Sequence, residues 1–165
     1  MMKHLTYLIV TIFLFSFQIP AKKEYHREFY ESGALKAEGW KVQDQKTAYW
    51  YNYYPNGNIS EKGHFRNNQK EGYWYFYSSD KKLIKEGHFI NNKAEKWWII
   101  YDIATNNKKD KVTRKYQYRN NKKNGYCLLY KNNKLFKAEK YIENQKIGEW
   151  TDVSSFRKDN PNVSL

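Results

Sequence analysis

Four kinds of residue in this chain could do chemistry, and their spacing decides what chemistry is open to them. His64 and His88 stand 24 residues apart in matching contexts, Lys-Gly-His-Phe and Glu-Gly-His-Phe. A metal centre needs three or four ligands held together, and the equivalent positions Trp40, Gln117 and Lys140 supply none. The histidines therefore read as surface residues paired across strands. The lone Cys127 has no histidine in its own segment and stands where neighbouring segments carry tryptophan, so it reads as a small buried residue. Glu38 and Glu86 share a position, but Lys62 interrupts between them, and an acid/base pair needs two carboxyls converging in a cleft. No Gly-rich phosphate loop, zinc spacing or Ser/His/Asp order appears. The expectation is a chain with no catalytic residues, no metal and no cofactor: not an enzyme.

The recurring charged position is lysine. Lys46, Lys70, Lys123 and Lys146 each follow a turn-forming Asp or Asn by two residues, with Ala94 the exception and Lys93 beside it. At successive hairpin tips they would form a basic edge. An insertion near Ile103–Lys111 adds Lys108, Lys109 and Lys111 at the opposite rim. These seven lysines are the candidate partner-binding residues. Lysine is also an ordinary residue of solvated tips, so a purely solubilising role stays open.

What must position these residues is a repeat. Phe29, Tyr53, Tyr77, Tyr101 and Tyr130 recur at spacings of 24, 24, 24 and 29. Six residues after the first three come Leu35, Ile59 and Leu83; ten after come Gly39, Gly63 and Gly87; twenty-one after come Trp50, Trp74 and Trp98. The fourth segment restores the register after its insertion with Val112, Tyr116, Asn121 and Cys127. The fifth lacks one residue and reads Leu135, Glu139, Asn144 and Trp150. Each segment alternates turn signals, such as Asn67-Asn68 and Tyr54-Pro55-Asn56-Gly57, with short alternating runs, about 59–66 and 72–77 in the second. That pattern is all-β: about ten short strands in an antiparallel meander.

A four-residue turn around Asn68 would pair Arg66 with Glu71 and place Gly63 opposite Trp74, Gly39 opposite Trp50 and Gly87 opposite Trp98. A large ring needs a small neighbour across the strand pair. Tyr116 opposite Cys127 exchanges the sizes, and Glu139 opposite Trp150 breaks the rule.

Gly57-Asn-Ile-Ser-Glu-Lys-Gly-His-Phe-Arg-Asn-Asn-Gln-Lys-Glu-Gly-Tyr-Trp74 and Glu86-Gly-His-Phe-Ile-Asn-Asn-Lys93 resemble the MORN-repeat variant family over about residues 25–150. The resemblance implies five stacked β-hairpin repeats forming one elongated twisted sheet, at about 29–52, 53–76, 77–100, 101–129 and 130–150. It implies binding or scaffolding rather than catalysis. Many bacterial members are exported, and some are regarded as antitoxins that mask a partner protein.

The first 21 residues have a secretory layout: Lys3, a charge-free run Leu5–Phe17, then Pro20-Ala21. An uncleaved anchor is the alternative reading. Export, to a bacterial periplasm, the outer envelope or the medium, fits a chain with one Cys and hence no intrachain disulfide. The 30 Lys and Arg against 17 Asp and Glu give +13, which favours a protein or an anionic envelope component such as acidic lipid or lipopolysaccharide. Export argues against nucleic acid. No small-molecule substrate is expected, and the polar stretch 151–165 reads as a cap or a disordered tail.

Overall fold

A computed structural model of the chain describes residues 21–102 and 111–163. The expected signal segment, except Ala21, and the insertion residues Lys108 and Lys109 lie outside the described residues.

The described chain forms β1 (Lys23–Phe29), β2 (Leu35–Val42), β3 (Gln45–Tyr53), β4 (Ile59–Arg66), β5 (Gln69–Tyr77), β6 (Leu83–Ile90), β7 (Lys93–Tyr101), β8 (Val112–Arg119), β9 (Lys122–Lys131), β10 (Lys134–Ile142), β11 (Gln145–Trp150) and one helix, α1 (Val153–Asp159). Each strand pairs antiparallel with its sequence neighbour in a single open sheet ordered β1 to β11. The protein is therefore all-β, a meander of hairpins. The strand beyond the expected ten is β1, which precedes the first full hairpin.

The hairpins are built differently from the expected four-residue turn. The turn is two residues, Asn67-Asn68, both at positive φ (50° and 63°), and Arg66 pairs with Gln69 rather than Glu71. Positive φ at both central residues is the type I′ geometry, whose twist matches the strands. Gln43-Asp44, Asn91-Asn92, Asn120-Asn121 and Glu143-Asn144 repeat it. Two residues then bulge out of the second strand: His64 faces Glu71, but Lys62 faces Tyr75, so Gly72 and Tyr73 are extra. The shorter turn and the bulge cancel. Gly39 faces Trp50 and Gly87 faces Trp98, as expected, and Tyr116 faces Cys127.

The bulge explains a second glycine position. Its first residue is Ala48, Gly72, Lys96 or Gly125, each at positive φ, where glycine alone carries no Cβ penalty. In the last hairpin the bulge is one residue, Ile147, so Glu139 faces Glu149 and Trp150 faces Ala138. The expected opposition of Glu139 and Trp150 is thereby corrected. A slip of one residue sends a side chain to the other face, and Trp150 has changed sides.

The sheet has two aromatic faces. On one, Trp50, Trp74, Trp98 and Cys127 are buried. The other carries Tyr49, Tyr51, Tyr73 and Tyr75, whose rings meet pairwise at 5.1 and 5.2 Å. The polar C-terminal stretch supplies α1, capped by Asp152, which accepts from Ser155 N at 2.7 Å. It folds back over the tyrosine face at β9–β11, burying Phe156 against Leu128, Ala138, Tyr126 and Trp150.

Candidate functional site

On the tryptophan face, three of the lysines expected at free tips are folded inward. A two-residue bulge preserves parity, so Lys70 shares a face with Trp74 four residues later. The Lys70 Nζ sits 4.3 Å from the Trp74 ring centroid and 2.6 Å from Glu61. Lys46 repeats this over Trp50 at 4.1 Å, with Glu28 at 3.1 Å. Lys123 lies 4.3 Å over Tyr116, and Lys146 pairs with Glu149 at 2.5 Å. The side chains of Lys46 and Lys70 are only 24% and 22% exposed. Long lysine stems cover apolar surface readily, and here the ammonium ends among rings and carboxylates. These residues belong to the sheet's own packing. Lys111 is exposed on the opposite rim, where it was expected; its backbone N–H donates to Asn132 Oδ1 at 3.0 Å.

The turn asparagines do more than tolerate positive φ. Asn92 Oδ1 accepts from Lys70 N at 2.6 Å, and Asn92 N donates to Lys70 O at 3.0 Å. Asn68 clasps Lys46, Asn121 clasps Ala94 and Asn144 clasps Lys123 in the same way. Each side chain acts as a short piece of strand, tying one hairpin to the one before it. At the other rim the Tyr30 and Tyr54 hydroxyls donate to the Tyr53 and Tyr77 carbonyls, both at 2.7 Å. Sequence reasoning did not find these clasps, although the Tyr30 and Tyr54 spacing of 24 held the signal.

The tyrosine face carries a row of charges set among hydroxyls. Tyr53 donates to Glu38 at 2.7 Å and Tyr101 to Glu86 at 2.6 Å. Lys62 lies over the Tyr75 and Tyr77 rings at 5.5 and 5.6 Å, and Lys115 over Tyr130 at 5.0 Å. The Tyr53 hydroxyl and the Arg27 guanidinium hold the Glu38 carboxyl below the usual carboxylate value, against the pull of burial. Burial and the Glu38 and Glu86 carboxylates push the Tyr53 and Tyr101 phenols upward, so both stay protonated donors. Trp40 and Trp97 on this face are 38% and 36% exposed. A solvent-open groove of about 480 Å³ lies between Tyr53, Ile59, Lys62, Tyr77 and Lys81.

His64 and His88 do pair across strands, with Tyr49 and Tyr73 at ring separations of 4.9 and 5.4 Å. Burial lowers the His88 pKa from its ordinary value. Cys127 is fully buried, and burial pushes its thiol up to about 12, which leaves no useful thiolate at neutral pH. Among the described residues no three His, Cys, Asp or Glu side chains are grouped to hold a metal ion, and every buried side-chain polar atom has a partner.

The arrangement defines an open, single-layer repeat sheet whose surfaces, rather than a cleft, meet the outside. No protein-family model matches this chain, and no curated protein matches it.

Proposed function

We infer that this chain is an exported, non-enzymatic binding or scaffold module of the cell envelope that meets an anionic partner along one rim. The observation that carries the reading is the set Lys36, Lys81, Lys111 and Lys134. All four are exposed on the rim formed by the β1–β2, β3–β4, β5–β6, β7–β8 and β9–β10 connections, one beside each turn except β3–β4, which has none. Among the described residues none of the four has a carboxylate within ion-pair distance, whereas Lys46, Lys70 and Lys146 all have one. We therefore assign the partner-facing basic surface to the insertion rim rather than to the Lys46 row. The excess of 13 positive charges over the whole chain supports the same partner chemistry.

Each exposed contact is worth about 0–1 kcal/mol, but a row of them gains avidity on a polyanion. Binding weakens with salt as the Debye length shrinks from about 10 Å at 0.1 M to about 3 Å at 1 M. The test is retention on vesicles of acidic phospholipid and on lipopolysaccharide, in parallel and across salt. The comparison is wild type, the Lys36/Lys81/Lys111/Lys134→Gln variant, and the Lys46/Lys70/Lys123/Lys146→Gln variant. Loss of retention in the insertion-rim variant alone supports the reading. Equal, salt-insensitive retention by wild type and that variant overturns it.

A further inference from the structure

We propose that two copies of this chain stack tyrosine face against tyrosine face, about a two-fold axis that runs along β5 between the two sheets. The face is incomplete as it stands. Over β9–β11 the chain covers it with α1, burying Phe156 completely. Over β2–β8 no element of the described chain lies on it, and the tyrosines there are continuous with those under the helix. A face this rich in rings gains by burial under a second layer, and α1 marks the edge of the part left open.

The charges name the occupant. One cross-strand row on this face runs Glu38 (β2), Tyr51 (β3), Lys62 (β4), Tyr75 (β5), Glu86 (β6), Ile99 (β7), Lys115 (β8). Reflected about Tyr75, every charge meets its opposite: Lys62 meets Glu86, and Glu38 meets Lys115. A two-fold axis along β5 reverses strand order and keeps the level along the strands. It therefore lays Lys62 of one copy against Glu86 of the other, twice. Lys62, Glu86 and Lys115 have no ion pair among the described residues; their contacts are to tyrosines. The same operation brings Trp97 toward Tyr49 of the second copy, the two residues holding equivalent bulge positions on β7 and β3.

Geometry permits the contact. Seven strands at 4.7–4.9 Å span about 34 Å, and five residues along a strand about 17 Å. Two such patches bury somewhat more than about 1,000 Å², the threshold for a specific dimer. Stacked sheets lie about 10 Å apart at about −30°. That rotation leaves the inner Lys62–Glu86 pairs about 2–3 Å out of line and the outer Glu38–Lys115 pairs about 7 Å, so the inner pairs dominate. This inference does not rest on the anionic-partner reading, since both rims stay free.

The test is sedimentation velocity of the full chain from a secreting host, from 1 to 100 times a micromolar concentration, as wild type, Lys62→Glu, Glu86→Lys, the double exchange, and an equimolar mixture of the two single variants. Wild type should dimerise. Each single variant places two like-charge contacts at the axis and should weaken the dimer on the order of a hundredfold. The double exchange should restore it. The mixture should restore it too, because the mixed pair has opposite charges at both contacts. The mixed result also shows that the single variants fold. A monomeric wild type overturns the proposal, as do single variants that dimerise like wild type or a mixture that stays monomeric.

Discussion

The indole of Trp74 lies across Gly63 of the adjoining strand and donates from Nε1 to the carbonyl of His64 at 3.1 Å. A Cβ on Gly63 would run into the five-membered ring, and the same holds for Gly39 under Trp50 and Gly87 under Trp98. The hydrogen bond falls where the bulge interrupts the ladder, so glycine, bulge and tryptophan form one device. Gly63→Ala should cost about 2–3 kcal/mol by overpacking, read as a lower urea midpoint at unchanged slope. Gly63→Ala with Trp74→Leu should lose less than the two single costs added together.

Ala48 and Lys96 hold the first bulge position at φ of 57° and 62°. The left-handed conformation costs such residues about 1–2 kcal/mol, partly offset by the greater unfolded-state freedom of glycine. Ala48→Gly and Lys96→Gly should each stabilise by about 0.5–1 kcal/mol in thermal or urea unfolding. A loss of stability in both would show that the bulge does not carry this strain.

Asn92→Gly keeps the positive φ and the backbone bond to Lys70 O, and removes only the side-chain half of the clasp. Losing the Lys70 N–H partner should cost about 1–2 kcal/mol. Asp44 has no preceding hairpin and no such bond among the described residues, so Asp44→Gly should be close to neutral. Equal effects at the two positions would mean that the clasp contributes nothing.

Glu38 is held ionised in the fold by Tyr53 and Arg27, below its ordinary value of 4.5. A depressed carboxyl contributes stability that is fully present above the unfolded value and is lost as pH falls through the folded one. Wild type should therefore exceed Glu38→Gln in thermal midpoint at neutral pH, and the gap should close below pH 4.5. A gap unchanged through that range would count against the pairing.

Cys127, fully buried with its thiol raised to about 12, should resist iodoacetamide in the native protein and react readily in urea. Rapid native labelling would show that the β8–β9 hairpin opens easily.

The size code across strands was legible because ring and glycine must oppose each other whatever turn joins them. The turn itself was not. A two-residue turn with a two-residue bulge and a four-residue turn without one give the same Gly63–Trp74 opposition, and Ala48 and Lys96 concealed the conformation that Gly72 and Gly125 announce. Trp150 changed faces because one absent residue shortened the last bulge. Helix α1 escaped notice because seven residues carry little periodicity and its burial rests on Phe156. The inward fold of Lys46, Lys70 and Lys123 was not legible because a sequence gives the tip position of Lys70 but not the reach of its stem onto Trp74. Only the fold shows that, among the described residues, no carboxylate lies within ion-pair distance of the exposed lysines of the insertion rim, Lys81 and Lys134 among them.

The asparagine clasps join residues 21 to 27 positions apart, and no clasp reaches past the adjacent hairpin. Folding in such an array proceeds by nearest-neighbour addition, so contact order does not grow as hairpins accumulate. A genetic duplication of residues 53–76 would then lengthen the sheet by one unit without retarding its formation, and deletion of the same unit would shorten it without exposing a new kind of surface. Growth by whole hairpins is open to this chain in a way that single-residue change in its turns is not, as the displaced Trp150 records.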